Sequence, residues 1–525
     1  MTASCRRASA TCAGLFYCLL FCVILISMSV KTDKQLSKSE YMMFLRHPAW
    51  LWLKKYDKSK LPLPDDNLQA TFDSGTEFEN YAQRRFPDGV RLGFNNYGEY
   101  LSLPERTKKA LDDGMKTIFQ GRFEADNITC ICDIIDVVEK NTVDLYEVKS
   151  STKVKSEHYP DLAFQTVVLE SAGLIVRNIA VLHVNSDYIK KGAVDPVGLS
   201  KVTDITNDVR EIIEDTKHNI QSALEVINSP KMPDPSPRFA NMGSLGDWID
   251  IYKNLGKEVA TYSIYNLFAV SSKRLGELED LNITLIKDIP DDFKLTVKQQ
   301  VQVTATKSGK RHIDKKLIND FIKTLTYPLY FLDYESAMSL VPLYDGNKPY
   351  QQLPFQYSLY TIEKPGSEPK HSEYLHRDSS HPVPALLKRL KEDIGSTGTV
   401  LVWYKNFETK RNMEMADMFP EFDEFLEDIN SRVVDLMGPF SNGWFVDKDF
   451  FGSASIKNVL PVLVPELSYK ELGVQEGASA QRLWMEVVIK KNPDIPSEKL
   501  FSDLVEYCKL DTLAMVRIWK VLQNL

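Results

Sequence analysis

Tyr327-Pro-Leu-Tyr-Phe-Leu-Asp-Tyr-Glu-Ser336 opens on Tyr-Pro, runs through apolar and aromatic residues, and closes on two carboxylates one residue apart. It reads as a buried strand with Asp333 and Glu335 at its C-terminal end. Side chains at i and i+2 of a strand share a face, so the two carboxylates sit side by side and Tyr334 points the other way. Adjacent carboxylates repel unless a cation joins them, and a divalent metal is the usual one. Taken alone, the pair fits equally a strand that runs out into solvent.

The residues downstream extend this reading. Segments 355–362 and 371–376 are candidate hairpin strands, and 384–394 is a helix with its proline tolerated in the first turn. Thr399-Val-Leu-Val-Trp-Tyr404 is a second buried strand, and Lys405-Asn-Phe-Glu408 opens a helix at its end. Val433-Val-Asp-Leu436 and Ser455-Ile-Lys-Asn-Val459 precede the last helices. The final helix carries Glu506-Tyr-Cys-Lys-Leu-Asp-Thr512, with Tyr507 and Asp511 one turn apart on one face. The order strand, strand, strand, helix, strand, then mostly helix is that of a ribonuclease-H-like α/β fold.

These residues together resemble a DEDD exonuclease of the variety with tyrosine in its last motif. Asp333 and Glu335 match the first motif, Asn406-Phe-Glu408 resembles the second, and Tyr507-x-x-x-Asp511 matches the third. The resemblance implies that Asp333, Glu335, Glu408 and Asp511 hold two Mg2+ or Mn2+ ions, which stabilise the attacking and leaving oxygens at phosphorus. Tyr507 would position the water. Glu408 is a departure, because aspartate is usual there; one methylene moves a carboxylate by roughly an ångström, a displacement that can matter to rate. Asp435 is a possible auxiliary or compensating acid.

The N-terminal half holds a second acidic pattern. Ser37-Lys-Ser-Glu40 has capping-box spacing, predicting a helix that stops before Pro48. A helix is predicted over 74–83, with Glu77 or Glu79 near its start; acids there usually just favour the helix dipole. Residues 128–138 and 143–149, joined by a short polar turn, read as a β-hairpin. Glu147 and Lys149 alternate onto one side, and pairing across the hairpin brings Asp133 towards them. Aspartate and glutamate can ligate a metal, while a lysine beside them orients water or offsets charge on a phosphate. Segment 161–173 is a helix ending at glycine, and 175–184 another apolar strand.

Asp133, then Glu147-Val-Lys149, then Gln165 on the following helix resembles the PD-(D/E)xK nuclease core, most closely its RecB-like branch. That likeness implies Asp133 and Glu147 as metal ligands, Lys149 and Gln165 as catalytic residues, and Glu77 as a possible auxiliary. Many such relatives also hold an iron–sulfur cluster through flanking cysteines. Here Arg46-His47-Pro48 stands where a cysteine is expected and residues 236–252 contain none, so no cluster is expected.

Composition sets the frame. At 525 residues, with 43% hydrophobic and 26% charged positions, the chain is long enough for about two or three domains of ordinary globular character. A net charge of −8 argues against a wholly cationic nucleic-acid binder, but local patches can still be basic. Four of the seven cysteines lie in the first 22 residues, too few elsewhere for a disulfide framework. The apolar run within residues 13–30 fits a signal peptide, a short membrane anchor, or an extension upstream of a start at Met28, the last placing the protein in the cytoplasm.

The expected division is residues 1–30 as leader, anchor or extension, 31–230 as the RecB-like domain, 231–320 as a Pro-rich linker and helical connector, and 321–525 as the ribonuclease-H-like domain. Within the connector, Ile-Thr-Leu-Ile-Lys-Asp-Ile-Pro290 resembles the turn of a helix-hairpin-helix module, though a packing connector also fits. Lys307, Lys310, Arg311, Lys315 and Lys316 form the densest basic run; such runs are usually solvated faces, but this one could grip a phosphate backbone.

From residue 36 to the C-terminus the chain resembles bacterial proteins that join these two domain types and are catalogued mainly as a domain of unknown function. The function expected is a metal-dependent nuclease acting on nucleic acid, DNA ahead of RNA, with a 3′–5′ exonuclease at the C-terminus and a DNA nuclease at the N-terminus. The alternative is a catalytically impaired nucleic-acid-binding or membrane-tethered scaffold.

Overall fold

The computed structural model describes residues 35–255 and 260–525. The expectations for residues 1–30 lie outside the described residues. Among those described, no helix is long and apolar enough to cross a membrane. The chain is mixed α/β and divides into two compact units. The first holds the chain through Leu61, Gly75–Asn185 and Pro196–Pro235; the second holds Pro62–Ser74, Ser186–Asp195 and Ser236–Leu525.

In the first unit, strand β1 (Leu36–Ser37) runs directly into helix α1 (Lys38–Arg46). The capping box is formed: the Ser37 amide donates to the Glu40 carboxylate at 3.0 Å, satisfying a donor the helix cannot. Helix α2 (Pro48–Tyr56) follows, with His47 Nδ1 accepting from the Ala49 amide at 3.1 Å. Next come α3 (Asp66–Gln83), of which Gly75–Gln83 belongs to this unit, then β2 (Val90–Arg91), α4 (Tyr97–Asp112) and β3 (Thr117–Ala125). They are followed by β4 (Ile128–Glu139), β5 (Thr142–Lys149), α5 (His158–Ser171), β6 (Ile175–Val184), β7 (Ser200–Asp204) and α6 (Ile213–Asn228). The sheet order is β2-β3-β4-β5-β6-β7, with β1 added in parallel to β4.

The β4–β5 hairpin turns through Asn141 at φ 62°, a left-handed conformation asparagine tolerates, and sets Ile134 opposite Tyr146. Helix α5 joins β5 to the parallel strand β6. Every residue from Asp161 to Leu169 is buried, so α5 is enclosed on all sides rather than amphipathic. Polar side chains in such a helix must find partners, and Asp161 and Gln165 find them in one another and in β5.

The second unit contains α7 (Val297–Ser308), β8 (His312–Ile313), α8 (Lys315–Lys323), β9 (Leu329–Ala337), β10 (Leu353–Ile362) and β11 (Lys370–Leu375). After these come α9 (Pro382–Asp393), β12 (Thr399–Val402), α10 (Lys405–Met418), α11 (Asp423–Arg432), β13 (Val433–Asp435) and β14 (Phe445–Val446). Helices α12 (Ile456–Leu463) and α13 (Ser497–Gln523) complete the set used below. The main sheet runs β11-β10-β9-β12-β13: β11, β10 and β9 are antiparallel, while β9, β12 and β13 are parallel. Strands β8 and β14 form a separate antiparallel pair.

Strand β9 is central, and both its faces are buried, which is why its sequence is almost continuously apolar. Leu329 and Phe331 pack with Met515, Ile518 and Trp519 of α13, the Phe331 and Trp519 rings 5.8 Å apart. Tyr330, Leu332 and Tyr334 pack with Leu386, Leu387 and Leu390 of α9. The two-residue period therefore carries Asp333 and Glu335 onto the α13 side. Gly398, just before β12, sits at φ 89°, and a Cβ there would lie 2.1 Å from the Pro328 carbonyl oxygen. Only glycine lets the β12 entry approach the start of β9 this closely.

Candidate functional site

The C-terminal end of β9 opens into a cavity of about 260 Å³ in the second unit. Its lining includes Asp333 and Glu335 from β9, Glu408 from the first turn of α10, and Tyr507 and Asp511 from α13. Trp403, Tyr404 and Phe407 supply an aromatic wall, and Lys457 on α12 a cation. The six C-terminal residues singled out as catalytic or metal-ligating (Asp333, Glu335, Glu408, Tyr507 and Asp511, with Asp435 as auxiliary) thus separate: five line the cavity and Asp435 does not.

Electrostatics follow from four acids in a small, poorly solvated space. Burial and the Asp511 carboxylate push the Asp333 carboxyl well above its usual range. Burial, Asp333 and Asp511 do the same to Glu335 against the opposing pull of Lys457. Burial, Asp333 and Glu335 raise Glu408. Asp511 is pushed by burial to about 6, held back by hydroxyl donors from Tyr469 and Tyr507 and by Lys457. Tyr469 donates to Asp511 Oδ1 at 2.5 Å. Burial and the neighbouring carboxylates raise Tyr507 far above the ordinary phenol range, so it remains a hydroxyl. Glu408 is 3% exposed, and its Oε2 has no hydrogen-bond partner. A buried acceptor left this way costs about 1–3 kcal/mol, a cost that a ligand cation would relieve.

Asp435 does something else. Its carboxylate accepts from the amides of Lys405 at 3.1 Å, Tyr404 at 3.3 Å and Met437 at 2.9 Å. Tyr404 is left-handed at φ 89°, and Asp435 pins this turn where β12 enters α10. Expected as a possible auxiliary or compensating acid, it lies outside the cavity lining and holds the turn that leads into the helix carrying Glu408.

In the first unit, Asp133, Glu147, Lys149 and Gln165 converge. Lys149 Nζ donates to Glu147 Oε1 at 2.7 Å and to Asp161 Oδ2 at 2.6 Å. Gln165 Nε2 reaches Glu147 Oε2 at 2.7 Å and Asp161 Oδ1 at 3.0 Å. Asp133 accepts the Val148 amide at 2.8 Å across the hairpin. Gln120 of β3 takes a left-handed φ of 55°, and its side-chain amide reaches both Asp133 Oδ1 at 3.1 Å and Glu79 Oε1 at 2.8 Å.

Lys38, the first residue of α1, places Nζ 2.7 Å from Glu147 Oε1 and 3.6 Å from Asp161. Burial would raise Glu147, but Lys149 and Lys38 outweigh it and hold the carboxyl far below its usual range. Asp133, lacking a direct cationic contact, is pushed to about 7 by burial and by Glu147.

Glu77 does not join this cluster. Helix α3 begins at Asp66, so neither Glu77 nor Glu79 is near its start, and the dipole reading fails for both. Glu77 is exposed, whereas Glu79 turns inward to Gln83 at 2.6 Å and to Gln120. Along the basic run, Lys307 pairs with Asp291 and Arg311 with Asp447, both at 2.5 Å, while Lys310, Lys315 and Lys316 are exposed. None of the five lines the cavity. Sequence reasoning missed Lys38, Asp161, Tyr469 and Lys457. Only Asp161 carried a usable signal, four residues before Gln165 on the same helix face.

Fold and clusters define a two-unit mixed α/β protein with one buried acidic centre in each unit. Residues 330–455 match the family described as a domain of unknown function (DUF2779), a span that takes in Asp333, Glu335, Glu408 and Asp435 but not α13. An uncharacterized protein of Ureaplasma parvum serovar 3 is 24% identical over 367 residues, covering 63% of this chain and 52% of that protein. An uncharacterized protein of Mycoplasma genitalium is 26% identical over 231 residues, covering 41% of this chain and 34% of that protein. The chain thus spans about half the length of the first relative and a third of the second.

Proposed function

We propose that the protein is a metal-dependent nuclease, with a ribonuclease-H-like 3′–5′ exonuclease in the second unit and a PD-(D/E)xK-type centre in the first. The observation that carries this reading is the convergence of Asp333, Glu335, Glu408 and Asp511, from three separate elements, on one cavity beside Tyr507. The strand order β11-β10-β9-β12-β13, antiparallel then parallel, supports the ribonuclease-H-like assignment.

The donor set is all oxygen and strongly anionic, and the unpartnered Glu408 Oε2 fits a cation-binding role. Asp333, Glu335, Glu408 and Asp511 would hold Mg2+ or Mn2+, which supplies charge stabilisation at phosphorus and an activated water. Tyr507 keeps its phenolic proton and gives it to Asp511 in a hydrogen bond, and so can offer its oxygen as an acceptor to an incoming water. Tyr469 also donates to Asp511 and fixes its carboxylate. Lys457 supplies positive charge where a phosphate would otherwise meet only carboxylates. The aromatic wall of Trp403, Tyr404 and Phe407 offers faces on which a terminal base could stack.

In the first unit, Asp133 and Glu147 would be the ligands, and Lys149 the group that orients water or offsets charge. One observation favours a second reading for that unit alone. Lys38 already neutralises Glu147, as expected of a centre that binds nucleic acid without cutting it. The test is to incubate the full chain with labelled single and double strands, with and without Mg2+ or Mn2+. Asp333→Ala should abolish terminal degradation, and Lys149→Ala any internal cleavage. No metal-dependent cleavage, or cleavage unchanged in the double variant, refutes the nuclease reading.

A further inference from the structure

We propose that Asp333, Glu335 and Cys508 form a binding site for a thiophilic divalent cation, Zn2+ being the ion it would take, and that Zn2+ held there blocks the hard-metal chemistry proposed above. The blocking half rests on the nuclease reading; the binding half does not.

One ligating atom from each of the three residues lies within 4.8 Å of the other two. Cys508 Sγ is 3.6 Å from Asp333 Oδ2. Zinc–sulfur bonds of about 2.3 Å and zinc–oxygen bonds of about 2.0–2.2 Å, at the tetrahedral angle, set two such ligands about 3.5 Å apart. The cysteine and the aspartate are therefore already spaced as two corners of a zinc tetrahedron. Both come from rigid elements, Asp333 from the central strand β9 and Cys508 from the middle of α13. Although Cys508 is fully buried, its sulfur faces the Asp333 carboxylate rather than apolar side chains alone.

A second observation points to a cation at this place. Glu408 is 3% exposed, lines the same cavity, and leaves Oε2 without a partner. It lies outside the three clustered ligands and faces the cavity that Asp333 and Glu335 also line. An all-oxygen set suits Mg2+, whereas adding a thiolate shifts preference towards softer ions. On binding, the thiol proton leaves to solvent as the metal–sulfur bond forms. Zn2+ bound this way occupies Asp333 and Glu335, two of the four carboxylates that the hard-metal set needs.

The probe is Cd2+, titrated into the full chain and followed by the thiolate-to-cadmium charge-transfer band in the ultraviolet. The band is read as the difference between wild type and Cys508→Ser, since other cysteines also bind Cd2+. The expected difference is one equivalent, displaced by Zn2+. No difference band overturns the proposal. Glu335→Gln keeps the thiol, so it should retain the band with affinity weakened about tenfold or more; unchanged affinity also overturns it. In the cleavage assay, Zn2+ should inhibit Mg2+-dependent activity, and Cys508→Ser should need about tenfold more Zn2+. Equal inhibition of both overturns the blocking half. Absence of any cleavage with Mg2+ or Mn2+ refutes the nuclease reading instead, and the Cd2+ titration still decides the site.

Discussion

Lys38 and Glu147 are held 2.7 Å apart across 109 positions of sequence, on the same carboxylate oxygen that Lys149 also contacts at 2.7 Å. Two ammonium groups therefore share one buried acceptor. Lys38→Met should leave Glu147 with Lys149 and Gln165 but one strong partner short. The expected loss is about 1–3 kcal/mol in urea unfolding. Glu147 is depressed in the folded state, so its stabilisation is present above its unfolded value of 4.5 and is lost as pH falls through the lower folded value. Removing Lys38 should move that acid loss to higher pH. The same variant should bind Mn2+ more tightly in the first unit, because a competing cation is gone; unchanged Mn2+ affinity would show that Lys38 does not guard the centre.

The carboxylates of the second unit have the opposite sign. Asp511 rises from 3.8 to about 6, so the folded state binds its proton more tightly than the unfolded state does. Without metal, this group's contribution to stability should be largest below pH 4 and fall as pH rises through 6. Asp133, at about 7, adds the same sign in the first unit. Mg2+ or Mn2+ competes with these protons, so either ion should raise the unfolding temperature more at pH 7.5 than at pH 5. Thermal scans at the two values check this; an equal rise at both would contradict it.

Asp435 is predicted to act through Glu408. Asp435→Ala frees the amides of Tyr404, Lys405 and Met437 and should cost about 1–2 kcal/mol, the scale of losing a helix cap. If the nuclease reading holds, the variant should also lower kcat with little effect on KM, and Asp435→Asn should recover part of both losses. A ligand role would instead show as lost metal affinity in both variants.

The central strand was the most legible feature of the sequence. Its apolar run set both the buried position of β9 and the shared side of Asp333 and Glu335, because a two-residue period needs no tertiary information. The hairpin carrying Asp133, Glu147 and Lys149 was legible for the same reason, and the capping box gave the start of α1. Strand β3 and helix α4 were not read at all; α4 contains Pro104 inside it, which obscures a helical pattern. The start of α3 was placed eight residues late, which put both Glu77 and Glu79 near its N-terminus. Lys38 and Tyr469 were invisible because long-range packing alone brings them in, 109 and 42 residues from Glu147 and Asp511.

Gly398→Ala tests the junction on which the second unit's sheet depends. The added Cβ would meet the Pro328 carbonyl oxygen at 2.1 Å and would have to hold φ 89°. The expected cost exceeds the roughly 1–3 kcal/mol of a strained backbone position, because the steric overlap adds to it. Folding at wild-type stability in denaturant would show that this close approach is not required.

The most direct measurement is of the products released from a 5′-labelled strand by wild-type protein and by Asp333→Ala in Mn2+. A 3′–5′ exonuclease built on Asp333, Glu335, Glu408 and Asp511 should shorten the strand stepwise from its 3′ end and leave the label on the remaining ladder. Asp333→Ala should slow this by about a hundredfold or more, the scale of losing a preorganised charge-stabilising group. A wild-type protein that leaves the strand intact in Mn2+, or an Asp333→Ala variant that shortens it at the wild-type rate, would contradict the account.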